Sequence, residues 1–129
     1  MEEHPNATLV RSVLDGLNSQ NFEAMFEFVA DDVEWHEIGR DEPIRGREAL
    51  MARMSDMPPG ASITADLHDV VANDDHTIAL LTATASMGDQ SLTYRVAEIY
   101  HIRDGKLTAR WAFSDDTDRI NRFFTPPGG

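Results

Sequence analysis

A chain of 129 residues suffices for one domain with a real core and is too short for two. Its net charge of -12 argues against a nucleic-acid or anionic-membrane partner, since both call for a basic face. With no cysteine, disulfides, thiol nucleophiles, iron–sulfur clusters and cysteine-ligated zinc are excluded.

The amino terminus, Met1-Glu2-Glu3-His4-Pro5, is acidic and leads into an amphipathic pattern, not the continuous apolar run of a signal peptide, so a cytoplasmic protein is expected. Leu9, Val10, Val13, Leu14 and Leu17 recur at helical spacing after Asn6 or Thr8 as cap. A second short helix puts Phe22, Met25, Phe26 and Val29 inward, and Ala30-Asp31-Asp32 leads into a strand over 33–38. Residues 39–46 read as a polar loop and Arg47–Ser55 as a third helix that Pro58-Pro59-Gly60 stops. Ile63–Ala72 is a long strand, and Asp116–Phe124 a closing helix packing through Ile120, Phe123 and Phe124. Residues 125–129 form a loose tail, and the whole of 1–129 is read as one domain.

Between these, residues 77–116 read as three antiparallel strands joined at Gly88-Asp89 and at Arg103-Asp104-Gly105-Lys106, both strong hairpin signals. Pairing Met87 with Gln90 and Ile102 with Leu107 sets the register, because strand side chains alternate between faces. One face then collects Ala79, Leu81, Ala83, Ala85 and Met87, next Leu92, Tyr94, Val96, Glu98, Tyr100 and Ile102, and finally Leu107, Ala109, Trp111, Phe113 and Asp115. The other carries Thr82, Thr84, Thr93, Arg95, Ala97, Ile99, His101, Thr108, Arg110 and Ser114. Alanines beside bulky aromatics either interdigitate in a solid core or leave a hollow. The two carboxylates favour the hollow, since burying an unpartnered carboxylate costs several kcal/mol.

The order helix, helix, strand, helix, meander carries four local motifs: Ala30-Asp-Asp-Val-Glu-Trp-His-Glu-Ile-Gly39, Pro43-Ile-Arg-Gly-Arg-Glu-Ala-Leu50, Ile102-Arg-Asp-Gly-Lys-Leu107 and Trp111-Ala-Phe-Ser-Asp115. In that order the chain resembles the nuclear transport factor 2-like superfamily, in its SnoaL-like and ketosteroid-isomerase-like branch. The resemblance implies an α+β fold whose curved antiparallel or mixed sheet wraps as a cone, cystatin-like, with the N-terminal helices over a central cavity. It also implies homodimers formed through the outer sheet face.

Within that frame Asp115 resembles the acid/base aspartate of SnoaL-like cyclases, and an apolar rim suits proton abstraction beside a carbonyl. The plainer alternative makes Asp115 the cap of the last helix, a task open also to Asp116. Tyr94, expected directly across from Asp115, would polarise a carbonyl, and Glu98, on the same face, would share a network with it, or the bonds merely satisfy buried atoms. His36 resembles the histidine of a Trp-His pair common in the branch and is a natural proton shuttle. Either Trp35 with Glu37 or His36 with Ile38 faces inward, and the pattern does not choose. Trp35, Leu81, Ala83, Tyr100, Trp111 and Phe113 would shape the pocket. No His-Glu-x-x-His spacing calls for a metal, and no nucleotide fingerprint for a cofactor. The branch's isomerases use an early tyrosine that this chain lacks, having tyrosines at 94 and 100 alone, and Arg95-Val-Ala-Glu98 departs from the Arg-x-Asp of epoxide hydrolases. The expected activity is therefore cofactor-independent acid/base isomerisation, cyclisation or dehydration of a largely apolar carbonyl or hydroxyl compound. A non-catalytic binding module of the same fold is the alternative.

Overall fold

A computed structural model describes residues 3–56 and 60–124. Helix α1 spans Pro5–Asn18, α2 Phe22–Phe26, β1 Val29–Trp35, β2 Ile44–Arg45 and α3 Arg47–Ser55. There follow β3 Ala61–Ala72, β4 Thr77–Met87, β5 Gln90–Arg103, β6 Lys106–Ser114 and α4 Thr117–Phe124. The six strands form one sheet in the order β2-β1-β6-β5-β4-β3, with β1 parallel to β6 and the other neighbours antiparallel. The expected α+β class with a curved mixed sheet is therefore correct; the sheet remains open, with β2 and β3 as its edges.

Local differences from the sequence reading have simple causes. Helix α1 starts at Pro5, whose missing N–H is no loss in a first turn, and its cap is His4, not Asn6 or Thr8, with Nδ1 accepting the Asn6 N–H at 3.1 Å. Strand β1 begins at Val29 because β6 recruits it, pairing Val29 with Leu107. The loop over 39–46 contains β2, which folds back on β1 to pair Ile44 with Trp35. The proposed stop at Pro58-Pro59, the tail over 125–129 and the side chain of Phe124 lie outside the described residues.

Both hairpins form where expected, with Met87 opposite Gln90 and Ile102 opposite Leu107. Gly88 takes φ +58° at the first central position of its turn, while Asp104 and Gly105 both have positive φ, as a turn matched to strand twist requires. The second hairpin then slips: His101 pairs with Ala109, leaving Thr108 as an extra residue whose Oγ1 donates to the His101 carbonyl at 3.1 Å. A second irregularity leaves His68 between the pairs Leu67–Leu81 and Asp69–Leu80. Such bulges bend their strands and add the curvature that makes one face of the sheet concave.

The helices close the concave face. Gly16 allows α1 to approach α2: a Cβ there would stand 3.0 Å from Met25 Cβ and 3.2 Å from the Asn21 carbonyl. Asn18 fastens the end of α1 to the exposed edge of β3, its amide donating to the Ala65 carbonyl and accepting the Ala65 N–H, both at 2.7 Å. Val10, Val13, Leu14, Met25 and Leu50 meet Ala79, Leu81, Ala85 and Leu92 in the core. Replacing Asn18 with Ala strands a donor and an acceptor of the edge strand. The expected outcome is a loss of about 1–3 kcal/mol in urea denaturation with an unchanged slope.

Candidate functional site

Beyond the slip at Thr108, every residue of β6 faces the opposite side from that expected. Tyr100 pairs with Arg110, Glu98 with Ala112 and Val96 with Ser114, so Arg110 and Ser114 point into the concave side while Trp111, Phe113 and Asp115 point out. Phe113 is 59% exposed. Asp115 is exposed; its Oδ1 accepts the Arg95 N–H at 3.2 Å, which extends the β5–β6 ladder, and Asp116 caps α4 by accepting the Arg119 N–H at 3.1 Å. The pairing of Tyr94 with Asp115 is thus corrected: Tyr94 lies opposite Ala83 on β4, and Asp115 sits on the other side of the sheet.

His36 also falls outside. On β1 it is Trp35 that turns inward, whereas His36 stacks on Trp111 with ring centroids 5.1 Å apart and bonds Glu34 at 3.1 Å. Its backbone N–H donates to the Arg110 carbonyl at 2.8 Å, which locks β1 to β6.

What the concave side encloses is a cavity of about 770 Å³ between sheet and helices. Trp35, Leu81, Ala83, Tyr94, Glu98 and Tyr100 line it; Trp111 and Phe113 do not. Ala83 of β4 keeps that wall thin beside the bulk of Tyr94 and Tyr100, while Ala79 and Ala85 are buried in the packed core. A more open hollow of about 890 Å³ runs past Phe26–Asp32. There Arg47 and Lys106 are already committed to the carbonyls of Phe26 and Glu27.

At the floor of the cavity the slip brings Arg110 against Glu98. Arg110 Nη2 donates to Glu98 Oε2, the Tyr100 hydroxyl donates to Glu98 Oε1, and Arg110 Nη1 donates to the His36 carbonyl at 2.9 Å. The guanidinium lies 4.5 Å from the centre of the Trp35 ring, a stacking that contributes up to about 2 kcal/mol when shielded from water. Glu98 and Arg110 side chains are only 9% and 12% exposed, so each depends on the other: deleting one partner of such a pair costs about 3–5 kcal/mol. Arg110 Nε is buried without a hydrogen-bond partner.

Burial works against the Arg110 charge, yet Glu98 and the two tyrosines more than offset it and hold the guanidinium pKa above its usual value. Burial, reinforced by Glu98, drives the Tyr100 hydroxyl well above the ordinary tyrosine range. Burial also raises Tyr94, with Arg110 opposing and Glu98 adding to the effect. Unlike Tyr100, Tyr94 has no hydrogen-bond partner among the described residues, and its hydroxyl is not sealed off, so it presents a donor to the cavity.

Arg110 is the cavity-lining residue that sequence reasoning missed. A signal did exist: in an unslipped register Glu98 faces a wall with no cation, because Arg95 is on the other face by parity. One extra residue anywhere between Ile102 and Arg110 supplies the partner. Among the described residues, no group of three or more histidines and carboxylates is placed to hold a metal ion, and no helix is long and apolar enough to cross a membrane.

A family model described as a SnoaL-like domain matches residues 10–110. The chain belongs to that family. Solved structures share the fold of this SnoaL-like protein. It superimposes on an NTF2-like protein of unknown function from Burkholderia pseudomallei with a TM-score of 0.83 at 15% identity, over 95% of this chain and 99% of that one. An LEH-like epoxide hydrolase from Mycobacterium tuberculosis gives 0.81 at 18% identity, over 91% and 87%. A putative polyketide cyclase from Xanthomonas campestris gives 0.78 at 18%, over 92% and 93%. At such identities the likeness establishes the fold alone. No curated protein matches the sequence.

Both tyrosines hold their protons more tightly in the folded state than in the unfolded one. The stabilisation is whole below the unfolded tyrosine value of about 10 and is lost as the pH climbs past it. Denaturation followed across alkaline pH is expected to show that fall. Tyr100→Phe should flatten it while lowering stability at neutral pH by about 1–3 kcal/mol, because Glu98 Oε1 then loses its donor.

Proposed function

We propose that this protein is a small-molecule enzyme working by cofactor-independent proton transfer, with Glu98 as base and Tyr94 as hydrogen-bond donor to a substrate oxygen. The observation that carries this reading is the pairing, on one wall of a 770 Å³ cavity, of a buried carboxylate clamped at both oxygens with an uncommitted tyrosine hydroxyl four residues away on the same strand face. Clamping does not exhaust Glu98, since each carboxylate oxygen keeps a second lone pair. Arg110 and Tyr100 orient it, and Trp35 seats Arg110. A ketone held by Tyr94 would gain its enolate charge next to a fixed donor while Glu98 takes the α-proton. Asp115 and His36, outside the cavity, are not assigned to this centre.

The competing reading is a binding module of the same fold. Its support is the same clamp, because a carboxylate bonded by arginine and tyrosine is also what a purely structural pair requires. The two readings separate on α-proton exchange of 2-tetralone in deuterated buffer, followed by proton nuclear magnetic resonance. Exchange faster than buffer, falling about 100-fold or more in Glu98→Gln and less steeply in Tyr94→Phe, supports the enzyme. Exchange unaltered in a folded Glu98→Gln variant removes Glu98 as base.

The outer sheet face is assigned to a homodimer contact. Val71, Ile78, Ile99 and Trp111 lie in one cross-strand row, with Leu80, Ala97 and Phe113 in the next. Val71 is 53% and Leu80 47% exposed, and among the described residues three of the four large apolar side chains most open to solvent belong to this face. Such a patch on an antiparallel sheet marks a surface that pairs with a partner. Leu80→Arg combined with Phe113→Glu is expected to convert a dimer to a monomer by light scattering while circular dichroism stays unchanged. A monomeric parent protein at micromolar concentration would remove the assignment.

A further inference from the structure

We infer that the ligand of this cavity is an amphiphilic carboxylate, with its apolar body along the sheet and its anionic head at the mouth beside Arg40 and Arg53. The inference deepens the small-molecule reading given above and rests on it, though not on whether Glu98 performs chemistry.

It follows from where the charges lie. The cavity is lined by three arginines, at 40, 53 and 110, against two glutamates, at 37 and 98, a local excess of positive charge in a chain whose net charge is -12. Each glutamate is already matched. Glu98 holds Arg110 at the floor, and Glu37 Oε1 accepts from Arg53 Nε at 3.3 Å. Arg40, exposed, has no side-chain partner among the described residues. Exposure orders these groups by depth. The Arg53 side chain is 48% exposed where that of Arg110 is 12%, so the unbalanced positive charge sits at the mouth and the neutral pair at the bottom.

The position of Arg40 is set by the backbone. Gly39, beside the Asn121 side chain of α4, has φ +78°, a left-handed backbone that other residues adopt only with strain. Arg53 engages Glu37 through Nε alone, which leaves its two terminal amino groups to pair with a carboxylate in the forked geometry arginine favours. A cleft with low-dielectric walls and a cationic rim concentrates an anion against the field of an acidic protein.

The test uses decanoate and decanol as probes. Trp35 fluorescence is the readout, in a Trp111→Phe background that leaves it the sole tryptophan. Decanoate is expected to bind about threefold to fivefold more tightly than decanol at low salt, and to lose that advantage in 0.5 M (approximately) sodium chloride. Arg40→Glu should abolish or reverse the preference, Arg40→Lys should retain most of it, and neither should alter decanol binding. Ala83→Trp, which fills the cavity, should weaken both probes. Equal affinity for the two probes, or a preference that survives Arg40→Glu, overturns the anionic head while leaving the pocket reading intact. If neither probe binds, or both ignore Ala83→Trp, the small-molecule reading itself falls and takes this inference with it.

Discussion

A carboxylate and a guanidinium, both nearly cut off from water, meet at Glu98 and Arg110, and much of the architecture is arranged around that meeting. Removing two charges from water costs several kcal/mol each, which only close mutual contact with further hydrogen bonds offsets. Tyr100 supplies one such bond, the His36 carbonyl another, and the face of Trp35 covers the guanidinium. The supporting residues come from β5 and from the end of β1, while Arg110 itself stands on β6. The pair consequently ties the parallel β1–β6 junction to the meander, and the strands converge where the cavity is deepest.

The same pair explains why β6 is irregular. An unbulged β6 would turn Trp111, Phe113 and Asp115 toward Glu98 and leave Arg110 outside, placing two buried carboxylates together without a cation. Inserting Thr108 exchanges that arrangement for one cation facing one anion. The bulge costs a disrupted rung of the ladder, partly restored by the Thr108 hydroxyl on the His101 carbonyl. Bending of the strand comes with it, so charge matching and concavity arise from one residue.

Hollowness has a separate origin. Small side chains on β4 withhold the volume that leucine or valine would fill, while α1 is held at a set distance by the Asn18 clamp on β3 and by Gly16 against α2. Because the helices are anchored at the rim by polar bonds, they do not collapse onto Ala83. The cavity therefore survives between two well-packed layers, apolar along its walls, charge-balanced at its floor and positive at its mouth. A molecule that is apolar along its length and anionic at one end matches that gradient; a dianion or a cation does not.

Read from the sequence alone, the element order apart from β2, both hairpin turns and the inward faces of β4 and β5 were legible. Alternation and turn chemistry are local, and Gly88, Asp104 and Gly105 announce their own conformations. Glu98, Tyr94, Tyr100, Leu81 and Ala83 were accordingly placed on the correct face. Beyond Thr108 the reading inverted, since a single inserted residue changes no composition and leaves the alternation of β6 intact while flipping every side chain. The orientation of Trp35 and His36 was equally closed to inspection, because it depends on Arg110 and Trp111 in a neighbour some 75 residues away in sequence. Periodicity determines which side chains share a face of one strand. Only tertiary contact decides which face is inside once a bulge intervenes, because the deciding energy is the pairing of charges that lie far apart along the chain.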